Sequence, residues 1–190
     1  MSGSVVVETT PLAERSPIEA ALDAIATALR RLVEAQATGE LATLRRLDIG
    51  SPDALAFSRI SLLPPVDRLL SSTPNASIRA DLLHRLAVIT RAMAGAADNL
   101  HAGWRLGGAL ADAGATERRV GALLTARGSA LLDNIQRTAA RLARVGPLPY
   151  RQLGVLTLAE TLDPAAAEAT RFQIARDYAR AQFRTERENT

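Results

Sequence analysis

Residues 115–145 read ATERRVGALLTARGSALLDNIQRTAARLARV, with Arg118, Arg119, Arg127, Arg137, Arg141 and Arg144 set against only Glu117 and Asp133. A guanidinium is a planar fork of donors that grips phosphate or carboxylate two bonds at a time and keeps its charge. The chemistry such a set performs is anion recognition rather than bond-making. The excess is local. The whole chain carries a formal charge of +3, while residues 101–151 hold eight arginines and three acids. A cluster of this kind raises a strong surface potential on a nearly neutral molecule. All 23 basic residues are arginine, with no lysine. A GC-rich genome explains that preference as well as phosphate chemistry does, so the positions of the arginines carry the argument rather than their number.

Bond-making groups are scarce. There are two histidines, His84 and His101, and no cysteine. Neither histidine stands in an HExxH or zinc-ligand spacing. The stretch GWRLGG is not GxGxxG and follows no strand, and no GxSxG occurs. Asp81, Asp98 and Asp112 are scattered rather than patterned for a metal. No catalytic residue, no metal, no cofactor and no small-molecule substrate is therefore expected. Trp104, Tyr150, Phe172 and Tyr178 offer faces on which bases stack, yet aromatics at 3% of the chain more often anchor a core.

The elements that must position the arginines read as helices. SPIEAALDAIATALRRLVEAQA opens with Ser16 as N-cap, Pro17 in the first turn and Glu19 three residues after the cap, and Gly39 is expected to end it. ELATLRRL, PDALAFSRISLL and a short turn VDRLL follow, with Pro64 and Pro65 as a stop. The helix IRADLLHRLAVITRAMAGAAD places Ile78, Leu82, Leu86, Ile89 and Met93 on one side. RLGGALADAG closes on Gly114, and TERRVGALLTAR, SALLDNIQRTAARLARV, PYRQLGVLTLAE and PAAAEATRFQIARDYARAQFRTERE complete the chain. No alternating strand pattern of useful length appears. The expected fold is all-α, a compact multi-helix bundle with a tail over 1–15, an N-terminal lobe over 16–98 and a C-terminal bundle over 104–187. No run of ~18 apolar residues is present to span a membrane, and MSGSVVVETTPLAERS lacks the pattern of a secretory signal. A cytoplasmic location is expected.

On a helical wheel Leu131, Leu132, Ile135, Ala139, Leu142 and Val145 share one face of the helix beginning near Ser129. Arg137, Arg141 and Arg144 fall in a narrow stripe roughly opposite. In the preceding helix Val120, Leu123 and Leu124 form the buried side, with Arg118 pointing away and Arg119 flanking. Periodicity leaves two readings open: a phosphate track, or an ordinary solvated face with Asp133–Arg137 as an i, i+4 pair.

Three blocks resemble the CasB family, the small subunit of type I-E CRISPR Cascade complexes. GELATLRRLDIGSPDALAFSRI carries Arg45, Arg46, Ala56, Phe57 and Arg59 at family positions, with Ser58 where an aromatic is usual. LGGALADAGATERRVGALLTARG matches a Leu-Gly-x-Ala-Leu-Ala, Gly, Glu-Arg-Arg pattern, and LLDNIQRTAARLARVGPLPYRQL matches a helix with a basic outward face. The resemblance covers roughly 39–183. It implies a non-catalytic helical subunit whose basic surface holds the displaced non-target strand and supports the guide–target duplex, which stabilises the R-loop. The implied partners are other Cascade subunits, a second copy of the same chain, and guide RNA and target DNA contacted without regard to sequence. Carried over residue by residue, it points to Arg45, Arg46, Arg118 and Arg119 directly, to Arg137 and Arg141 through the basic helix, and to Arg127 beside them, while Arg144 joins the expected set from the wheel. A different class of function is a structural helical adaptor whose arginines meet acidic protein partners. A small helical enzyme is a third class, against which the missing catalytic motifs count.

Overall fold

The first helix, α1 (Pro17–Glu34), starts where the sequence supplies a capping box. The Ser16 hydroxyl accepts the Glu19 amide at 3.2 Å, and the Glu19 carboxylate accepts the Ser16 amide at 3.3 Å. Two of the amide donors that a helix start leaves unpaired are satisfied at once. The computed structural model describes residues 16–50, 52 and 54–188, so the expected tail over 1–15 lies outside the described residues.

The stop of α1 differs from the expectation. Gln36, at φ 52°, takes the left-handed turn, and Gly39 already belongs to α2 (Thr38–Arg45). Its glycine freedom is not used. Next come α3 (Leu55–Ser61) and α4 (Pro64–Ser71). The proline pair does two jobs there: it ends α3 and supplies the first turn of α4, which is longer than the single turn expected. The central helix, α5 (Ala76–Gly95), is capped by Asn75, whose side chain accepts the Ser77 and Ile78 amides at 2.8 and 3.3 Å. A 3-10 turn, Ala97–Asn99, leads to α6 (Leu106–Asp112). Gly114, at φ +63°, ends that segment as the sequence suggests. The chain finishes with α7 (Glu117–Thr125), α8 (Gly128–Val145), α9 (Tyr150–Leu162) and α10 (Pro164–Glu188). The fold is all-α. Among the described residues no strand forms, and Leu100 and Leu148 make only an isolated bridge.

Helix α5 is the hub, packed by α8, α9 and α2. Every residue from Arg85 to Ala94 except Arg91 is buried, so its apolar surface runs around the helix instead of along one side. Ile78, expected on the buried stripe, is 39% exposed at the open end. The core is continuous from Ile18 in α1 to Tyr178 in α10. It passes beneath the 98–104 connection, because α1 and α5 lie directly on α9. Of the aromatics, Phe57, Tyr150 and Tyr178 anchor this core, whereas Trp104, Phe172 and Phe183 stand exposed. The anchoring expectation thus fails for Trp104 and Phe172.

Gly107 explains part of the LGGALADAG signature. A Cβ at that position would overlap the carbonyl oxygen of Ile174 and the amide nitrogen of Tyr178. The backbones of α6 and α10 meet there with no room for a side chain. Among the described residues no helix is long and apolar enough to cross a membrane.

Candidate nucleic-acid interface

Helix α8 carries the site. Leu131, Leu132, Ile135, Ala139 and Leu142 are buried, largely against α5, as the wheel requires. Val145 was expected with them but is 62% exposed. The last turn is covered on one side only: Leu142 stays buried while Val145 faces out. On the outer side, Ala140 and Ala143 are short, so long side chains around them leave hollows instead of a filled surface.

Two such hollows flank the helix. One, of about 650 Å³, lies between α8 and α7 and is lined by Arg119, Arg137, Arg141 and Arg144 over an apolar floor. The other, of about 410 Å³, lies toward α2 and α5 and brings in Arg45 and Arg91. Ala140 and Arg144 border both, so the two hollows adjoin across α8 and are treated together as one groove. Six arginines line it and no carboxylate does. Like charges gathered in this way raise the local potential well beyond that of a mixed surface.

The expected residues separate into three groups. Arg119, Arg137 and Arg144 line the groove with exposed side chains. Arg137 reaches back only to the main-chain carbonyl of Asp133, at 3.2 Å, and not to its carboxylate as the i, i+4 pairing anticipated. Arg45 and Arg141 also line the groove, but each is tied to the fold. Arg45 Nε donates to the Ala94 carbonyl at 2.9 Å, and Arg141 Nη2 donates to the carbonyls of Ala113 and Gly114 at 2.6 and 3.1 Å. The outward stripe of three arginines is therefore two free groups with a structural one between them. Arg46 and Arg118 are exposed but lie outside the groove lining. Arg127 is turned elsewhere: it donates to the Leu124 and Ala126 carbonyls and pairs with Glu168 at 2.8 Å.

Sequence reasoning passed over Arg91. Its signal is a lone cation in the apolar run LAVITRAMAG, which has to leave the core by some route. The route taken leads into the groove.

A buried ionic network fixes the near end of α8. Glu160 accepts Arg85 Nη1 at 2.7 Å and Arg171 Nη2 at 3.4 Å, and the Gly128 amide that opens α8 points at the same carboxylate from 3.2 Å. Asp81 extends the network, accepting Arg85 Nε at 2.7 Å and the Thr161 hydroxyl at 2.5 Å. Burial pushes the Asp81 carboxyl up, but the hydrogen bonds from Thr161 and Arg85 and the Arg85 charge outweigh it and hold it below the ordinary 3.8. The histidines do other work: His84 Nδ1 lies 3.0 Å from the Ile49 carbonyl, and the His101 ring rests against Trp104 with centroids 5.9 Å apart. Among the described residues no three histidines or carboxylates gather as a metal site would require.

No family model, curated protein or solved structure matches this chain.

Proposed function

We propose that the groove across α8 binds the sugar–phosphate backbone of nucleic acid without base preference. We further propose that the chain serves as a non-catalytic small subunit of an RNA-guided effector, holding a displaced strand or a guide–target duplex. One observation supports the reading of the site: six arginines line two adjoining hollows on α8, and no carboxylate lines either. Acidic neighbours would neutralise an ordinary solvated face, and phosphates are the partners that such a groove lacks. The role within an effector rests on the resemblance of the LGGALADAGATERRVGALLTARG block and its neighbours to the CasB family.

The adaptor reading has support of its own. Phe172 and Phe183 are 70% and 66% exposed on α10, and Leu55 and Leu62 are exposed at the start and just past the end of α3. Exposed large apolar groups of this kind suit protein partners, either other subunits or a second copy of the chain. These apolar groups lie outside the groove lining, while the groove arginines themselves would meet acidic partners in an adaptor.

Fluorescence anisotropy with a labelled single-stranded DNA across a salt series tests the groove. The expected variant is Arg119→Ala with Arg137→Ala and Arg144→Ala, which spares the structural Arg45 and Arg141. Each lost phosphate contact flattens the log–log salt slope by ~0.7 on a single strand, so three flatten it by ~2. Between ~50 and ~200 mM salt the wild type then loses roughly 20-fold more affinity than the variant. An unchanged slope would show that the groove is a solvated face. Normal DNA binding combined with failed assembly would favour the adaptor.

A further inference from the structure

The hollow between α7 and α8 is more than a phosphate track. A track needs only exposed cations, because phosphate is costly to dehydrate against hydrocarbon. Here the floor is apolar: Leu110, Ala115, Val120 and Leu123 are buried beneath it, and Val145 stands exposed at its rim among Arg119, Arg137 and Arg144. Its volume of about 650 Å³ falls within the ~300–1,000 Å³ of pockets that take organic ligands.

Polar residues with bonding capacity to spare line the same space. Arg141 lines the hollow, and its Nε is buried with no acceptor among the described residues. Asn134 uses its amide nitrogen on the Ala130 carbonyl, at 3.0 Å, which leaves its carbonyl oxygen without a protein donor. Thr138 lines the hollow too, and its hydroxyl makes no bond to the described protein. An apolar floor, a cationic rim and a few unspent hydrogen-bonding groups match a nucleotide: a flat base on hydrocarbon, with its phosphates on guanidinium.

We propose that this hollow receives one unstacked nucleobase of a single strand, with the flanking phosphates held by Arg119, Arg137 and Arg144. The proposal rests on the reading of the groove as a nucleic-acid interface and adds what that reading lacks, a preference for single strands. A base inside a duplex is paired and stacked and does not reach the floor, whereas a single strand presents its base freely. No aromatic lines the hollow, so the guanidinium planes and Val145 supply the stacking faces.

The test compares a labelled oligothymidine with an abasic oligomer of equal length, at one salt concentration, on the whole protein. One seated base is worth roughly tenfold in affinity, so the oligothymidine should bind about tenfold more tightly. Filling the hollow with Ala122→Leu and Thr138→Leu leaves every arginine in place. It should reduce the difference to about twofold while the salt slope persists. Equal binding of the two oligomers by the wild type overturns the pocket and leaves the backbone reading standing. Failure to bind either oligomer overturns both. The wild-type comparison requires no variant, so it decides the matter even if the filled protein folds poorly.

Discussion

Replacing Glu160 by Gln keeps the shape of the side chain and removes its charge from the network that anchors α8. Glu160 is only 13% exposed, and its partners Arg85 and Arg171 have side chains that are 6% exposed. The desolvation of all three is offset in the native protein by a short contact to Arg85 at 2.7 Å and a longer one to Arg171 at 3.4 Å. Breaking a buried pair by neutralising one member costs about 3–5 kcal/mol, because a buried charge is left without its counter-charge. The lower end applies here. Arg85 retains Asp81 and Arg171 retains Glu168, and both of those carboxylates are well solvated. About 3 kcal/mol in a chain of this length lowers Tm by roughly 6–12 °C. Differential scanning calorimetry reads that shift directly. The fall should persist in high salt, since buried pairs are weakly screened. The Gly128 amide loses a charged acceptor at the same time, so proteolysis within the α7–α8 turn should speed up. A drop in Tm below about 2 °C would refute the assignment of Glu160 as the counter-charge for two buried arginines.

Three further outcomes follow from the same geometry. Arg141→Ala should cost about 1–2 kcal/mol in denaturant unfolding, because two carbonyls at the end of α6 lose their donor, whereas Arg137→Ala should change stability by less than about 0.5 kcal/mol. Equal costs would mean that Arg141 is as free as its neighbour. Gly107→Ala should destabilise by about 1–3 kcal/mol or more, since the added methyl meets backbone of α10 that has nowhere to move, and an unchanged unfolding midpoint would show that α6 and α10 separate easily. Burial, and then the hydrogen bond to Asp23 at 2.8 Å, raise the Tyr150 hydroxyl from 10.0 to about 12. A raised value means that its stabilisation is complete below pH 10 and is lost as pH climbs toward 12. Ultraviolet titration in a Tyr178→Phe background should show that late ionisation, and Tyr150→Phe should remove this part of the alkaline loss of stability.

Much of the helix order was legible because each signal is local. Ser16 and Glu19 announce α1, Gly114 closes α6, and a proline pair separates α3 from α4. The fate of individual arginines was less legible, and the reason is physical. A wheel states where a side chain leaves its own helix, but not which neighbouring helix end comes within its reach. Helices α5, α6 and α7 have no basic residue in their own last turns. Their terminal carbonyls, at the negative end of the helix dipole, still require donors. Each draws an arginine from outside the helix: Arg45 bonds Ala94 at the end of α5, Arg141 bonds Ala113 and Gly114 just past α6, and Arg127 bonds Leu124 and Ala126 at the end of α7. Three of the eight arginines expected to face phosphate are thereby committed to the fold, though Arg45 and Arg141 still border the groove. Helix ends without a cation of their own can be found in the sequence once the boundaries are drawn. Assigning the nearest arginine-rich segments to those ends before counting phosphate contacts would have set aside Arg127 and marked Arg141 as structural. What remains on the groove, Arg119, Arg137 and Arg144, keeps a charge that the fold leaves unspent and borders a hollow with an apolar floor, whereas Arg46 and Arg118, equally exposed, stand outside that lining.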